Sequence, residues 1–322
     1  MVTEVSPSRT FDALVARFAS RARRNVPLGV YSTYRVGGPA GLLLEVQDEA
    51  DLKSISSLVS EHDSDPIPFL VIGKGSNLLI SDAGFPGLVI LLGRGFSRIE
   101  IQGVRVSAGA ATGLPVLARR SVTSGLTGLE WAVGVPGSVG GAVRMNAGGH
   151  GAETAQVLDS CRVVDLVSGA VDDRSTEALA FSYRHSALGT SEVVTAATFV
   201  LAPGDRATSE AKLAEIVRWR RAHQPGGSNA GSVFTNPPGD AAGRLIDEAG
   251  LKGFRLGTAQ VSSKHANFIQ ADDGGSGDDV RRVIDHVRDI VEKRFGVLLV
   301  PEVCLIGFRD SPPAPTLGGH RS

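Results

Sequence analysis

The chain has 322 residues, 42% of them hydrophobic and 21% charged, a balance that excludes wholesale disorder and leaves room for two or three subdomains. Its 33 Lys+Arg against 34 Asp+Glu give a net charge of −1 with no long basic run, which excludes a general nucleic-acid or anionic-membrane binder. Only Cys161 and Cys304 are present, Met1 to Arg9 has no leader pattern, and no apolar run has membrane-span length, so the expectation is a soluble cytoplasmic protein without disulfides.

Phe11, Leu14, Val15 and Phe18 recur at helical spacing and predict a short amphipathic helix, ended by Arg21 to Arg24 and Pro27. Leu42 to Val46 reads as a strand, and Leu52, Ile55, Leu58 and Val59 as a helix. Phe69 to Ile72 is a buried strand running straight into Gly73-Lys74-Gly75-Ser76-Asn77, and Leu88 to Leu92 is another. Ile99, Ile101, Val104 and Val106 alternate around Gln102-Gly103, a hairpin pattern. A helix is predicted over Pro115 to Ser124, and strands over Arg162 to Leu166 and Val193 to Leu201. Between them, Gly134 to Gly151 is too rich in glycine to be regular throughout. After Pro203-Gly204 the pattern is helical: Glu210 to His223, the segment around Leu245 and Ile246 ending at Gly250, and the long stripe Val280, Val283, Ile284, Val287, Ile290 and Val291. Val297 to Val300 reads as a strand closed by Glu302. The tail from Arg309, with Pro312, Pro313 and Pro315, reads as disordered.

Glycine is the anomaly: 40 residues, about 12% against a usual usage near ~7%. The Gly73 to Asn77 turn can aim backbone N–H groups at an anion. It is neither a P-loop, since position 68 is Pro68, nor a dinucleotide fingerprint, since Leu78 stands at the third glycine. Alone it reads as an ordinary tight loop. The stretch Gly134-Val135-Pro136-Gly137-Ser138-Val139-Gly140-Gly141, followed by Met145-Asn146-Ala147-Gly148, is harder to dismiss, because so flexible a segment is costly to order. Two such loops with few lysines suit a ligand with two phosphates. Arg184, Ser232 and Glu302 lie in unusual settings, yet each has an ordinary reading as a surface ion pair, a cap and a strand exit. Ser232 lacks the Gly-x-Ser-x-Gly context of a hydrolase. The seven histidines show no metal spacing.

Taken in order, these segments resemble the UDP-N-acetylenolpyruvoylglucosamine reductase family from about Asn25 to Gly307. The matching motifs are Thr33 to Ala40, Ile72 to Leu79, Gly128-Leu129-Glu130 through Val135-Pro136-Gly137, Met145 to Gly148, Tyr183-Arg184-His185-Ser186 and Gln224-Pro225. Gly231-Ser232-Val233-Phe234, Leu245 to Gly253, Val261 to Phe268 and Pro301-Glu302-Val303 complete them. The resemblance implies an α+β protein with a two-part flavin domain of the vanillyl-alcohol-oxidase type, followed by an α+β substrate-binding domain. The corresponding divisions are an N-terminal helix in 1–24, flavin subdomains in 25–95 and 96–203, a substrate domain in 204–308, and a disordered tail in 309–322.

The resemblance further implies FAD on Gly73, Lys74, Gly75, Ser76 and Asn77 and on Pro136, Gly137, Ser138, Gly140, Gly141, Asn146 and Ala147. Binding is expected to be non-covalent, because no histidine stands in the first loop. NADPH reduces the flavin, which passes hydride to the enolpyruvyl ether of a UDP-sugar in peptidoglycan precursor synthesis. Arg184 is the implied cation on the substrate carboxylate, Glu302 shares that polarisation, and Ser232 is the implied proton donor. Tyr183 and Asn236 are implied substrate contacts. Arg220, Arg221, Lys264 and His265 are candidates for the diphosphate. The chain departs from the family's longer form in having no insertion between Ser186 and Val193, and His223 stands near that form's lysine. Gly149-His150 replaces the commoner alanine and aromatic residue. A monomer that binds no nucleic acid and no membrane is expected. The competing readings keep the fold but change the nucleotide-sugar, or bind flavin without turnover.

Overall fold

The computed structural model describes residues 9–61 and 66–310 and the backbone of 316–317. His62, His320 and most of the proline-rich tail lie outside the described residues.

The first segment is built on a five-stranded sheet in the order Ala22–Pro27, Pro39–Val46, Phe85–Leu92, Ile67–Ile72 and Thr316–Leu317. Its three central strands are parallel and its two edges antiparallel. Parallel strands are covered on both faces, and Leu42, Leu43, Leu44, Leu88, Val89 and Ile90 are fully buried accordingly. Helix Arg9–Phe18 lays Phe11, Leu14 and Phe18 on one face, and helix Glu49–Glu61 adds Leu52, Ile55 and Val59. The edge strand Ala22–Pro27 replaces the helix stop expected at Arg21 to Arg24. Its residues are mostly exposed, so charged side chains serve as an edge rather than as a break. Thr316–Leu317 pairs with the opposite edge, so that part of the tail is strand rather than disordered coil.

The middle segment is a five-stranded antiparallel sheet in the order Val171–Ser175, Leu158–Asp165, Glu192–Val200, Arg105–Gly109 and Ile99–Gln102. The expected hairpin turns at Gly103 with φ +58°. Helix Leu114–Thr123 starts with proline in its first turn, where the missing N–H costs nothing. Inside the glycine-rich stretch one short helix forms, Val139–Arg144, capped by Ser138 Oγ accepting from Gly141 N at 3.3 Å.

Helix Arg206–His223 follows, with Asp205 as N-cap. Its Leu213 and Ile216 pack into the core of the middle segment. The last segment has helix Ala242–Glu248, a three-stranded sheet of Arg255–Leu256, Ala259–Val261 and Ile269–Ala271, and helix Gly277–Phe295. That last helix is capped by Ser276 and ends at Gly296 with φ +68°. Val280, Val283, Ile284, Val287 and Val291 form the core with Leu245, Ile246, Val261 and Ile269. Val297 to Val300 is not a strand: Leu298 and Val300 are exposed, and pairing begins with a single antiparallel bridge from Pro301 to Phe234, then with Cys304–Ile306, parallel to Leu78–Ile80 of the first segment. The chain therefore returns to the first glycine loop just after Glu302. Among the described residues, no helix is long and apolar enough to cross a membrane.

Buried Glu130 ties helix Arg206–His223 to the middle segment. Its carboxylate accepts from Thr127 Oγ1 at 2.6 Å, Gly128 N at 2.8 Å and Ser209 Oγ at 2.6 Å. Burial pushes its pKa up, but these hydrogen bonds outweigh burial and hold it below the ordinary glutamate value. A depressed folded-state pKa contributes stability that is present above the unfolded value, near ~4.3, and lost as pH falls through the folded one. Glu130→Gln is therefore expected to lower the urea midpoint at pH 7 and to flatten its fall below about pH 5. An unchanged midpoint and slope contradict this assignment.

Candidate active site

Strand Ile67–Ile72 ends in the first glycine loop, whose course only glycine permits. Gly75 has φ +59°, and a Cβ there would lie 2.0 Å from the Tyr31 carbonyl oxygen. A Cβ on Gly73 would lie 2.2 Å from Ser138 Oγ, so the two glycine loops touch. Among the described residues, the N–H groups of Lys74, Gly75 and Ser76 have no backbone acceptor. The second loop is pinned by Leu114 N to Gly137 O at 3.0 Å and Gly140 N to Ala110 O at 2.9 Å.

Both loops line one cavity of about 720 Å³, within the usual range for a small-molecule or cofactor site. Of the residues assigned to FAD by resemblance, Gly73 to Asn77, Pro136, Gly137, Ser138, Gly141 and Ala147 border it. Gly140 and Asn146 do not. Gly140 lies against Ala110, where a Cβ would come within 2.9 Å of the Ala110 Cβ. The buried Asn146 side chain serves the fold, donating to Ser182 O at 3.0 Å and accepting from Ala155 N at 3.0 Å.

Two further groups await a partner in this cavity. Gln224 Oε1 is buried with no hydrogen-bond partner among the described residues. Burial alone lowers the pKa of the Arg220 guanidinium, and no carboxylate offsets it. An unpaired cation, an unpaired acceptor and free loop amides fit an anionic dinucleotide such as FAD.

The same cavity gathers the three isolated polar residues. Arg184 sits at φ +56°, uncommon for a non-glycine residue. Its Nε donates to Glu302 Oε1 at 2.7 Å, and its Nη atoms to Gly148 O at 3.1 Å and Asn146 O at 3.5 Å. Tyr183 stands at the rim, more than half exposed, with the guanidinium 5.0 Å from its ring centre. Ser232 follows Gly231, itself at φ +80°. Asn267 grips the segment after Ser232: its carbonyl accepts from Val233 N, its Oδ1 from Phe234 N, and its Nδ2 donates to Phe234 O at 2.8 Å. Glu302 N donates to Val233 O at 2.7 Å, which fixes Glu302 beside Ser232.

A smaller pocket of about 400 Å³ adjoins, sharing Ser232, Asn236 and Asn267 with the main cavity. Lys264 and His265 line it. Arg244 is paired there with Asp240 and Glu248, and Lys252 with Asp247. Burial, then the Lys252 charge, hold His265 below the usual histidine pKa. Asn236 lines both pockets but also accepts from Ala242 N at 3.1 Å. Arg221 lines neither; its carbonyl accepts from Lys264 Nζ at 2.5 Å.

Sequence reasoning missed the cavity roles of Arg144, Gln224, Asn267, Trp219 and Cys304, because each reaches the wall only through the packing of distant segments. His150 stands where the resemblance implies an aromatic residue beside the flavin. In the structure Trp219 stands edge-on to it at 5.1 Å and stacks on His223 at 4.7 Å. Among the described residues no His, Cys, Asp and Glu cluster could hold a metal ion.

Two glycine loops, free amides and a shared cavity between α+β lobes define an FAD-binding protein, and residues 40–172 match the FAD binding domain family. Residues 223–306 match the UDP-N-acetylenolpyruvoylglucosamine reductase C-terminal domain. The chain is 44% identical to the UDP-N-acetylenolpyruvoylglucosamine reductase 2 of Symbiobacterium thermophilum, over 91% of this chain and 94% of that protein. It is 40% identical to the reductase of Rubrobacter xylanophilus, over 92% and 99%. The crystal structure of the Thermus caldophilus reductase superposes with a TM-score of 0.77 at 37% identity, covering 88% of this chain and 99% of that one. The chain belongs to the UDP-N-acetylenolpyruvoylglucosamine reductase family.

Gly75→Ala is expected to weaken FAD binding at least tenfold, since the added methyl must displace the loop from the Tyr31 carbonyl. Flavin fluorescence titration of the apoprotein checks this; an unchanged dissociation constant contradicts it.

Proposed function

We propose that this protein reduces UDP-N-acetylglucosamine enolpyruvate to UDP-N-acetylmuramate at the expense of NADPH, as a cytoplasmic enzyme of peptidoglycan precursor synthesis. The observation that carries the reading is the Arg184–Glu302 pair set beside Ser232 on the cavity that the two glycine loops line. Non-covalently bound FAD supplies the redox chemistry there, taking hydride from NADPH and giving it to the substrate β-carbon. The flavin part begins with the first sheet and runs through helix Arg206–His223, whose Leu213 and Ile216 pack into the middle core rather than into the expected 204–308 unit, and the substrate part follows that helix.

The amides of Lys74, Gly75 and Ser76 in the first loop and of Gly137 and Ser138 in the second would hold the cofactor's pyrophosphate, since none of them donates to another backbone group among the described residues. Arg184 faces the substrate carboxylate. Its charge acts where negative charge builds as the enolpyruvyl group is reduced, so it binds the transition state more tightly than the ground state. Glu302 and the carbonyls of Asn146 and Gly148 hold the guanidinium plane, so little reorganisation is needed during reaction. Ser232 Oγ delivers a proton to the α-carbon, from a backbone that Asn267 grips just beyond it. Tyr183 closes the rim. Asn236, Lys264 and His265, around the adjoining pocket, take the UDP diphosphate end.

An anaerobic two-step experiment tests this. NADPH is expected to bleach the flavin absorbance, and UDP-N-acetylglucosamine enolpyruvate to restore it. Ser232→Ala should leave bleaching intact and slow recovery by about 10²- to 10⁴-fold. Equal slowing of both steps removes Ser232 from the proton-donor role. Bleaching without recovery in the unmodified protein points to another acceptor, and absence of flavin overturns the reading.

A further inference from the structure

Arg144 ends the short helix that springs from the second glycine loop, and it borders the main cavity. Its guanidinium donates to the main-chain carbonyl oxygens of Glu192 and Gly189, the latter at 3.2 Å. No carboxylate among the described residues pairs with it. The Glu192 carboxylate accepts instead from Arg174 at 2.6 Å and from Gly189 N at 2.6 Å. Burial lowers the Arg144 pKa, and the nearby Glu192 carboxylate, already paired with Arg174, opposes that only in part, so the carbonyl-bound guanidinium keeps much of its field.

That field falls on the reacting end of the cavity. The residues just after Arg144 hold Arg184 through Asn146 O and Gly148 O. Cys304 lies two residues beyond Glu302, lines the same cavity, and has its thiol 3.8 Å from Asn77 Nδ2 of the first glycine loop. The Arg144 charge acts on that thiol, as does the Glu302 carboxylate. Arg144 thus stands where the first loop, the second loop and the Arg184–Glu302 pair converge. A flavin held by the two glycine loops would share this cavity with Arg144, Arg184 and Glu302.

We propose that Arg144 tunes the flavin: its fixed positive charge stabilises the negative charge on the reduced isoalloxazine and so raises the midpoint potential of the bound cofactor. The inference rests on the FAD reading of the cavity. Oxidised flavin takes up two electrons and one proton, from a reduced nicotinamide or from dithionite and water, and the ring then carries one net negative charge. A nearby cation favours that product over the neutral oxidised ring.

The test equilibrates the FAD-loaded protein with a redox dye and, separately, titrates it with sulfite, which adds to oxidised flavin as an anion. Arg144→Gln keeps amide donors for the two carbonyls and removes the charge; Arg144→Lys keeps the charge. Arg144→Gln is expected to shift the ratio of reduced to oxidised flavin at least tenfold toward oxidised, a fall of about 30 mV for a two-electron couple, and to weaken sulfite binding. Arg144→Lys should stay near the unmodified protein in both. An unmoved potential in Arg144→Gln overturns the proposal, as does an equal fall in Arg144→Lys. Should Arg144→Gln not fold, Arg144→Lys alone decides by whether it holds the potential. An unmodified protein without bound FAD overturns the underlying reading instead.

Discussion

Arg184 and Glu302 meet at 2.7 Å across 118 positions of sequence, and the geometry of the cavity hangs on that contact. Arg184 belongs to the turn after the second glycine loop, whereas Glu302 lies in the segment that carries the last lobe back to the first. Glu302 is hydrogen-bonded through its backbone to Val233, next to Ser232, and Val233 is held in turn by Asn267. One ion pair therefore links the second glycine stretch to the segment that carries Ser232. Such a pair is poor evidence for stability, since desolvating both charges offsets most of their attraction. Its value here is positional. The left-handed backbone of Arg184 is a cost met at the site, as strained residues at functional positions commonly are.

Glycine serves the same end by another route. Gly75 must pass the Tyr31 carbonyl and Gly73 must pass Ser138, and in this loop the amides of Lys74, Gly75 and Ser76, on the cavity lining, have no backbone acceptor among the described residues. Binding by amides needs no lysine cluster, which is why a chain with a net charge of −1 can hold a dinucleotide. Arg144 and Arg220 supply local positive charge that the overall balance conceals.

Long, capped elements were legible in the sequence. The helix Gly277–Phe295 has a complete apolar stripe, a serine cap and a glycine stop, and local and tertiary preferences agree on it. Elements set by neighbours were not. Ala22–Pro27 reads as a charged helix stop and becomes an edge strand because Pro39–Val46 offers it a ladder. Val297 to Val300 reads as a strand, but among the described residues its backbone pairs with a neighbouring backbone only at its end, where Val300 O accepts from Thr235 N. At the site, Arg184, Ser232 and Glu302 each have a plain reading, and only their resemblance-borne order suggested a group. Arg144 gave no signal and Gln224 only its place in a matching motif, because a polar residue becomes conspicuous only once the fold has buried it beside a cavity.

A double-mutant cycle on the flavin reoxidation rate tests the central claim most directly, using Arg184→Met, Glu302→Gln and the double variant with UDP-N-acetylglucosamine enolpyruvate as acceptor. If the two side chains act as one unit, the double variant is little slower than the slower single one, a coupling of at least about 1.4 kcal/mol. If the two losses simply multiply, the pair does not act as a unit and the account fails at its centre.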